Sequence, residues 1–318
     1  MDREQMDGIL PIVKPRGPTS HDIVQQARKV LAQRKIGHSG TLDPFAEGVL
    51  LLGIGKGTRI LEYLTGQPKT YRMVFQLGWV TDTYDNTGTT VEVNEPFVTN
   101  EQIRSVSESF VGEYLQVPPM YSARKVQGVK LYDLARQGKI IHMPPRKVTV
   151  YALEVQSIDG TQVTIKARVS SGTYMRSLAM DIGFRLGCGA TALSLIRTEN
   201  AGFGIDQCVR WCAPDSPIDF LRKMAEDRIV SLNQALSFLP SISIYEKDHT
   251  RVRNGMHIFS EMVASLDGTF EKDQPIRIMS HNDELIAIAS SERVSGFIRT
   301  LQSNDRNERV AKLVKVFS

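Results

Sequence analysis

The stretch Gly37-His38-Ser39-Gly40-Thr41-Leu42-Asp43-Pro44 places one carboxylate in a glycine-rich turn that neither a helix nor a strand requires. Two glycines within four residues permit positive φ angles and close approach of another molecule, while Pro44 steers Asp43 out of the helical region and removes an amide donor. A carboxylate held on such a corner can act as a nucleophile or as half of an acid–base pair. The plain alternative is a turn initiator, a common use of Asp before Pro. Glu47 would share a helix face with Asp43 if the helix ran through both, as paired glycosidase carboxylates require. Pro44 instead starts the helix after Asp43, so Glu47 is expected at its positive N-terminal end.

Two distant residues could serve that carboxylate. Arg176, in Ser171-Gly172-Thr173-Tyr174-Met175-Arg176, is expected in the first turn of a helix from Thr173 to about Leu186. Leu178, Ile182 and Leu186 would form its buried face, leaving Arg176 free either to reach a cleft or to sit on the surface. Tyr71 opens a period-two run, Tyr71, Met73, Phe75 and Leu77, that reads as one face of a strand. Its ring is then either core or a platform for a nucleobase.

Other motifs fail on inspection. Gly53 to Thr58 lacks both the first glycine and the Ser or Thr of a phosphate loop, and Thr58 stands where a dinucleotide fold needs its third glycine. Asp82 to Gly88 resembles a calcium loop until Tyr84 occupies a ligand position. Cys208 and Cys212 have no second pair to complete a zinc site. No metal and no cofactor are expected.

The elements that must position these groups follow from patterning. A strand at Ile9–Val13 leads through a turn to a helix opened by Thr19 and Asp22 as a capping box, with Ile23, Ala27, Val30 and Leu31 on one face. Val49–Ile54 reads as a buried strand, Thr99 and Gln102 open another helix, and Val148–Ile158 and Gln162–Val169 form a hairpin through Asp159-Gly160. Without regular βαβ alternation, the class is α+β with a mixed or antiparallel sheet. At 318 residues and 41% hydrophobic content, two domains are expected: 1–240, and a small β domain over 241–318. An N-terminus without an apolar core, no spanning apolar run and three cysteines lead to the expectation of a soluble cytoplasmic protein without a membrane partner.

A net charge of +4 permits an acidic partner, and its distribution says more. From Arg124 to Lys147, seven basic residues face the single carboxylate of Asp133, with Tyr121, Tyr132 and His142 interleaved. Phosphate-matching cations mixed with stacking rings suggest RNA.

In order along the chain, Lys14-Pro15 with Gly17, Thr19 and Ser20, the Gly37–Pro44 stretch, Lys69-Thr70-Tyr71-Arg72, and Thr81-Asp82-Thr83 with Asp85 match one family's motifs. So do Pro118-Pro119 with Tyr121, Lys125 and Tyr132, and Gly172-Thr173-Tyr174 with Arg176. The chain closely resembles bacterial tRNA pseudouridine synthases of the TruB type. Two departures stand out: Ile196 occupies a position where the family usually has a second Arg, and Ala201-Gly202 replaces a usual Gly-Pro.

That resemblance implies a catalytic domain with an RNA-clasping insertion at about 119–147 and a C-terminal PUA-like RNA-binding domain. It implies isomerisation of uridine 55 in the T-loop of tRNA. Asp43 would be the nucleophile, at the ribose C1′ or at the base. Arg176 would hold Asp43 ionised, and Tyr71 would stack on a flipped-out uracil. His38, Lys14, Lys69, Tyr174, Leu195, Arg124 and Lys125 are the remaining expected RNA or substrate contacts. The T-arm is the expected partner of a monomer with no obligate protein partner. The rival readings are an RNA-folding chaperone with an idle site and a nucleoside or glycoside hydrolase.

Overall fold

The computed structural model describes residues 5–119, 125–126, 129–130, 144–211 and 218–317. By contact density the chain divides into two compact units, Leu10–Ile229 and Val230–Ser318, with Met6–Ile9 grouped with the second. The boundary expected from the sequence is 240.

In the first unit, strand β1 (Gly8–Lys14) runs into helix α1 (Ser20–Val30). The Thr19 hydroxyl accepts the Asp22 amide at 3.1 Å and the Asp22 carboxylate accepts the Thr19 amide at 2.9 Å, a reciprocal cap that starts the helix where the sequence signals it. Ile23, Val24, Ala27 and Val30 are its buried face. Strands β2 (Ile36–Ser39) and β3 (Glu47–Ile54) pair antiparallel, and helix α2 (Leu61–Thr65) leads to β4 (Lys69–Leu77). Strands β5 (Trp79–Thr81) and β6 (Thr90–Val93) form a separate hairpin, followed by α3 (Asn100–Glu108) and β7 (Gly112–Gln116). Strands β8 (Lys125–Val126) and β9 (Val129–Lys130) pair with each other. Then come β10 (Arg146–Asp159), β11 (Gln162–Val169), α4 (Met175–Arg185) and β12 (Ala190–Asn200).

The central sheet orders its long strands β1-β3-β12-β4-β11-β10-β7. Most of its pairings are antiparallel, with β12 parallel to β3, so the sheet is mixed as expected. Tyr71, Met73, Phe75 and Leu77 are all buried, and α4 packs Leu178, Ala179 and Ile182 into the same core. In the second unit, six strands between Ser241 and Val316 form one sheet around Ile242, Ile276, Ile278 and Ile286, covered by the helix Ser295–Ser303. Among the described residues no helix is long and apolar enough to cross a membrane.

Two local expectations are corrected. Gly37, His38 and Ser39 belong to β2, paired with Leu51 to Gly53, so the turn is confined to Gly40 onward. Glu47 begins β3, with no helix before it: the partner available there is the backbone of β12, and strand pairing takes precedence over the local N-terminal signal. The strand β12 lies at the sheet centre although its Ala-, Ser- and Thr-rich sequence shows no period-two pattern. It is flanked by β3 and β4 in the sheet, with its residues buried or half-buried along its whole length.

Candidate active site

Strand-end turns bring the separate motifs to one cavity of about 330 Å³. The turn carrying Asp43 is gripped from behind by the loop and helix start that follow β1. Ser20 Oγ accepts the Leu42 amide at 2.9 Å and donates to the Leu42 carbonyl at 3.2 Å, and the Gly17 amide donates to the Pro44 carbonyl at 2.8 Å. Arg16 Nε donates to the Phe45 carbonyl at 3.0 Å. Backbone on both sides of Asp43 is therefore fixed, while its side chain remains about one-third exposed to the cavity. Gly40 adopts φ +80°, which L side chains rarely take.

Arg176 enters from the first turn of α4. Its Nε lies 2.9 Å from Asp43 Oδ2 and its Nη1 3.1 Å from Asp85 Oδ2, with Nη1 also donating to the Thr83 carbonyl at 2.7 Å. Only 4% of the Arg176 side chain is exposed, so the surface-arginine reading is excluded. Asp85 is buried as well, and its Oδ1 accepts the Thr83 hydroxyl at 2.9 Å and the Thr87 amide at 3.0 Å. The loop that resembled a calcium site thus spends its carboxylate on Arg176. Among the described residues no cluster of three or more metal-ligating side chains occurs.

Tyr71 and Leu195 are buried on neighbouring strands, paired one register apart through Met73 and Arg197, and both line the cavity with Tyr174. Lys69 also lines it. Its ammonium donates to the Thr65 and Gln67 carbonyls at 3.0 and 2.9 Å, and burial beside Arg197 brings its pKa down to about 8.

Lys14 and His38 stand apart from the cavity lining. The expected phosphate contact at Lys14 is corrected: the residue is fully buried, and its ammonium donates to the Pro15 and Pro18 carbonyls, each at 2.8 Å. It ties the turn behind Asp43. His38 is a half-buried strand residue whose Nδ1 has no hydrogen-bond partner among the described residues, and burial lowers its pKa. Arg124 lies outside the described residues, and of Lys125 only the strand backbone is described.

Burial holds the Lys14 ammonium at a pKa of about 8 against an ordinary 10.5. Between those values the unfolded chain keeps a proton that the folded one has released, so folding stability rises with pH there, by at most about 1.4 kcal/mol per unit. In Lys14→Met that contribution is absent. Denaturant titrations at pH 8 and pH 10 should show wild type gaining on the variant as pH rises; a constant gap would remove the case for a desolvated ammonium.

The roles of two residues, one lining the cavity and one behind it, went unread in the sequence. Arg197 is fully buried, donating from Nε to the Val49 carbonyl at 2.7 Å and from Nη2 to the Gly40 carbonyl at 3.1 Å, with Nη1 3.4 Å from the Tyr71 hydroxyl. It fixes the Asp43 turn to the Tyr71 wall. The close pairing beside it needs Gly48, at φ +113°, where a Cβ would fall 2.2 Å from the Arg197 carbonyl oxygen. The available signal for Arg197 was its place two residues after Leu195 on an extended segment. Asp85 was visible in a motif but not as the residue that orients Arg176.

The fold, with the likenesses that follow, defines a pseudouridine synthase. The chain matches over 98% of its length, at TM-score 0.76, a solved structure of an H/ACA RNP bound to a substrate RNA containing 2′-deoxyuridine, at 26% identity. A Cbf5-Nop10-Gar1 complex matches at the same score and 28% identity; the alignments cover 85% of each of those chains. The chain belongs to the TruB family of pseudouridylate synthases, whose N-terminal domain model matches residues 28–175. Proteins named tRNA pseudouridine synthase B from Thermotoga petrophila and Thermotoga maritima are each 45% identical over 98% of both chains. The one from Clostridium acetobutylicum is 41% identical over 80% of this chain and 86% of its own.

Proposed function

We propose that this protein is a tRNA pseudouridine synthase that converts the T-loop uridine at position 55, with Asp43 as nucleophile. The observation that carries the reading is a single cavity carboxylate, Asp43, held 2.9 Å from a buried guanidinium and ringed by Tyr71, Tyr174 and Leu195. Likeness across nearly the whole chain to proteins named tRNA pseudouridine synthase B supports the tRNA pseudouridylation in it.

The reaction exchanges the bond from uracil N1 to ribose C1′ for one from C5 to C1′. N1 gains a proton and C5 loses one, so the change is an isomerisation without net redox. Asp43 adds at ribose C1′, displacing the uracil at N1, or to the base before the N1–C1′ bond breaks; either way the untethered fragment stays in the cavity while the base turns, and closure of the C5–C1′ bond releases the carboxylate. Arg176 fixes the carboxylate in line for attack. Tyr71, on a wall of the cavity, offers a face to the uracil, and Tyr174 and Leu195 confine it. The target base must leave the RNA stack first, at a cost of a few kcal/mol. A cavity of about 330 Å³ suits one extruded nucleotide better than a paired strand. The segment from about 119 to 147, with its basic and aromatic residues, would grip the phosphates of the arm.

The test is incubation of unmodified tRNA transcript with the purified full chain, followed by chemical mapping of pseudouridine and assay of free uracil. A stop at position 55 that is lost in a transcript carrying cytidine there is the expected result. Released uracil would make the protein a hydrolase; tight binding without product would make it a chaperone.

A further inference from the structure

The helix that delivers Arg176 starts without help from its own sequence. Tyr174 occupies the N-cap position of α4 and supplies no side-chain hydrogen bond, whereas α1 and α3 are both opened by capping boxes. Such a start leaves amides without intrahelical partners and tends to fray. Here the N-cap residue is a wall of the cavity, and Arg176 follows two positions later.

A residue of another strand closes this end. Gln116, the last residue of β7, is 1% exposed. Its Oε1 accepts the Tyr174 amide at 2.8 Å, and its Nε2 donates to the Tyr174 carbonyl at 3.1 Å. One carboxamide therefore holds both sides of one residue's backbone, in the manner of an added strand. The Tyr174 carbonyl meanwhile accepts the Leu178 amide at 3.0 Å as the first turn of the helix. Gln116 is itself oriented, because Nε2 also donates to the Tyr114 hydroxyl, and Tyr114 packs edge-on against Phe110 at 5.2 Å between ring centres. A second link beside it, from Ser177 Oγ to the Val117 carbonyl at 2.9 Å, joins the same strand end to α4 without touching Tyr174.

We infer that Gln116 is a positioning residue for the isomerisation: by clamping the Tyr174 backbone it sets both the tyrosine wall and the register from which Arg176 meets Asp43. This rests on the reading of the protein as a pseudouridine synthase. The hydroxyls of Ser170 and Thr173 are engaged with each other, and Ser170 Oγ also accepts the Thr149 amide, so neither caps the helix. Geometry rather than affinity is at stake, since Gln116 does not line the cavity.

The experiment compares wild type, Gln116→Leu, Gln116→Glu and Ser177→Ala for single-turnover pseudouridine formation at saturating enzyme, for tRNA binding by filter retention, and for thermal unfolding. Gln116→Leu is expected to form product roughly 10- to 100-fold more slowly, the scale of loss that a misplacement near 1 Å produces, while its Kd for tRNA stays within about threefold. Gln116→Glu keeps the acceptor for the Tyr174 amide and loses the donor to the carbonyl at neutral pH, so a smaller loss of rate is expected, again without loss of binding. Ser177→Ala should react within about twofold of wild type, because the Tyr174 clamp is intact. The inference is overturned by a wild-type rate in folded Gln116→Leu, by a weakened Kd that accounts for the lost rate, or by Ser177→Ala being equally slow. If Gln116→Leu does not fold, a wild-type rate in Gln116→Glu overturns it. Absence of product with wild type refutes the functional reading instead, which keeps the two failures apart.

Discussion

Asp43→Asn is expected to lose pseudouridine formation by roughly 10⁴-fold or more, about 5 kcal/mol of transition-state stabilisation, while still binding tRNA and unfolding near the wild-type temperature. The carboxamide is the size of the carboxylate and the side chain is one-third exposed, so neither a void nor a buried unpaired charge results. Ser20, Gly17 and Arg16 grip the turn through its backbone and are indifferent to the substitution. Arg176 keeps Asp85 and the Thr83 carbonyl. Binding should hold or tighten slightly, because a negative charge leaves a surface that meets phosphate. What the amide lacks is the nucleophilic oxygen anion. Single-turnover assays with mass-verified protein, free of deamidated Asp, make the comparison clean. A residual rate within tenfold of wild type would mean that Asp43 only orients the base and that another group forms the bond.

The contrast between Asp43 and its supports shows what kind of information a sequence carries. Asp43 was conspicuous because glycine and proline around a carboxylate announce a shaped backbone, and such local chemistry is written in adjacent letters. Tyr71 was legible through strand alternation and Arg176 through helical spacing, both short-range periods that place a side chain relative to its own element. Arg197, Asp85 and Gln116 carry no comparable mark. Their roles depend on carbonyls and amides contributed by segments up to 157 positions away, as with Arg197 and Gly40. No local pattern encodes a partner at that range. Lys14 shows the converse error: a lysine in a Pro- and Gly-rich motif suggests a phosphate, yet β1 runs through the sheet interior and delivers the ammonium to two backbone carbonyls. The strand β12 was unread for a related reason, since its apolar residues Leu193, Leu195 and Ile196 do not keep the alternation that identifies a half-buried strand.

Separating the two jobs of Arg176, holding Asp43 and neutralising Asp85, calls for a double-mutant cycle with Asp85→Asn and Arg176→Met. Both side chains are nearly inaccessible, at 4% and 6% exposure, so solvent screening offers little relief. Arg176→Met leaves Asp85 charged and buried without its guanidinium, and should destabilise the fold by about 3–5 kcal/mol. Asp85→Asn keeps Oδ1 for the Thr83 hydroxyl and the Thr87 amide but can turn an NH₂ toward Arg176 Nη1, donor against donor, at a cost of about 1–3 kcal/mol. In the double variant neither the unpaired charge nor the opposed donors remain. Its stability loss should therefore fall short of the sum by about 1–3 kcal/mol. Activity should behave differently. Asp85→Asn lets the guanidinium drift from Asp43 and should slow product formation by roughly 10²- to 10³-fold, and the double variant should recover none of it, because stability regained at Asp85 puts no cation beside the nucleophile. Lysine could not substitute: a point charge on a flexible stem does not span Asp43 and Asp85 with separate nitrogens. Additive unfolding energies would show that the pair is uncoupled. Recovery of activity in the double variant would show that Arg176 serves the fold alone.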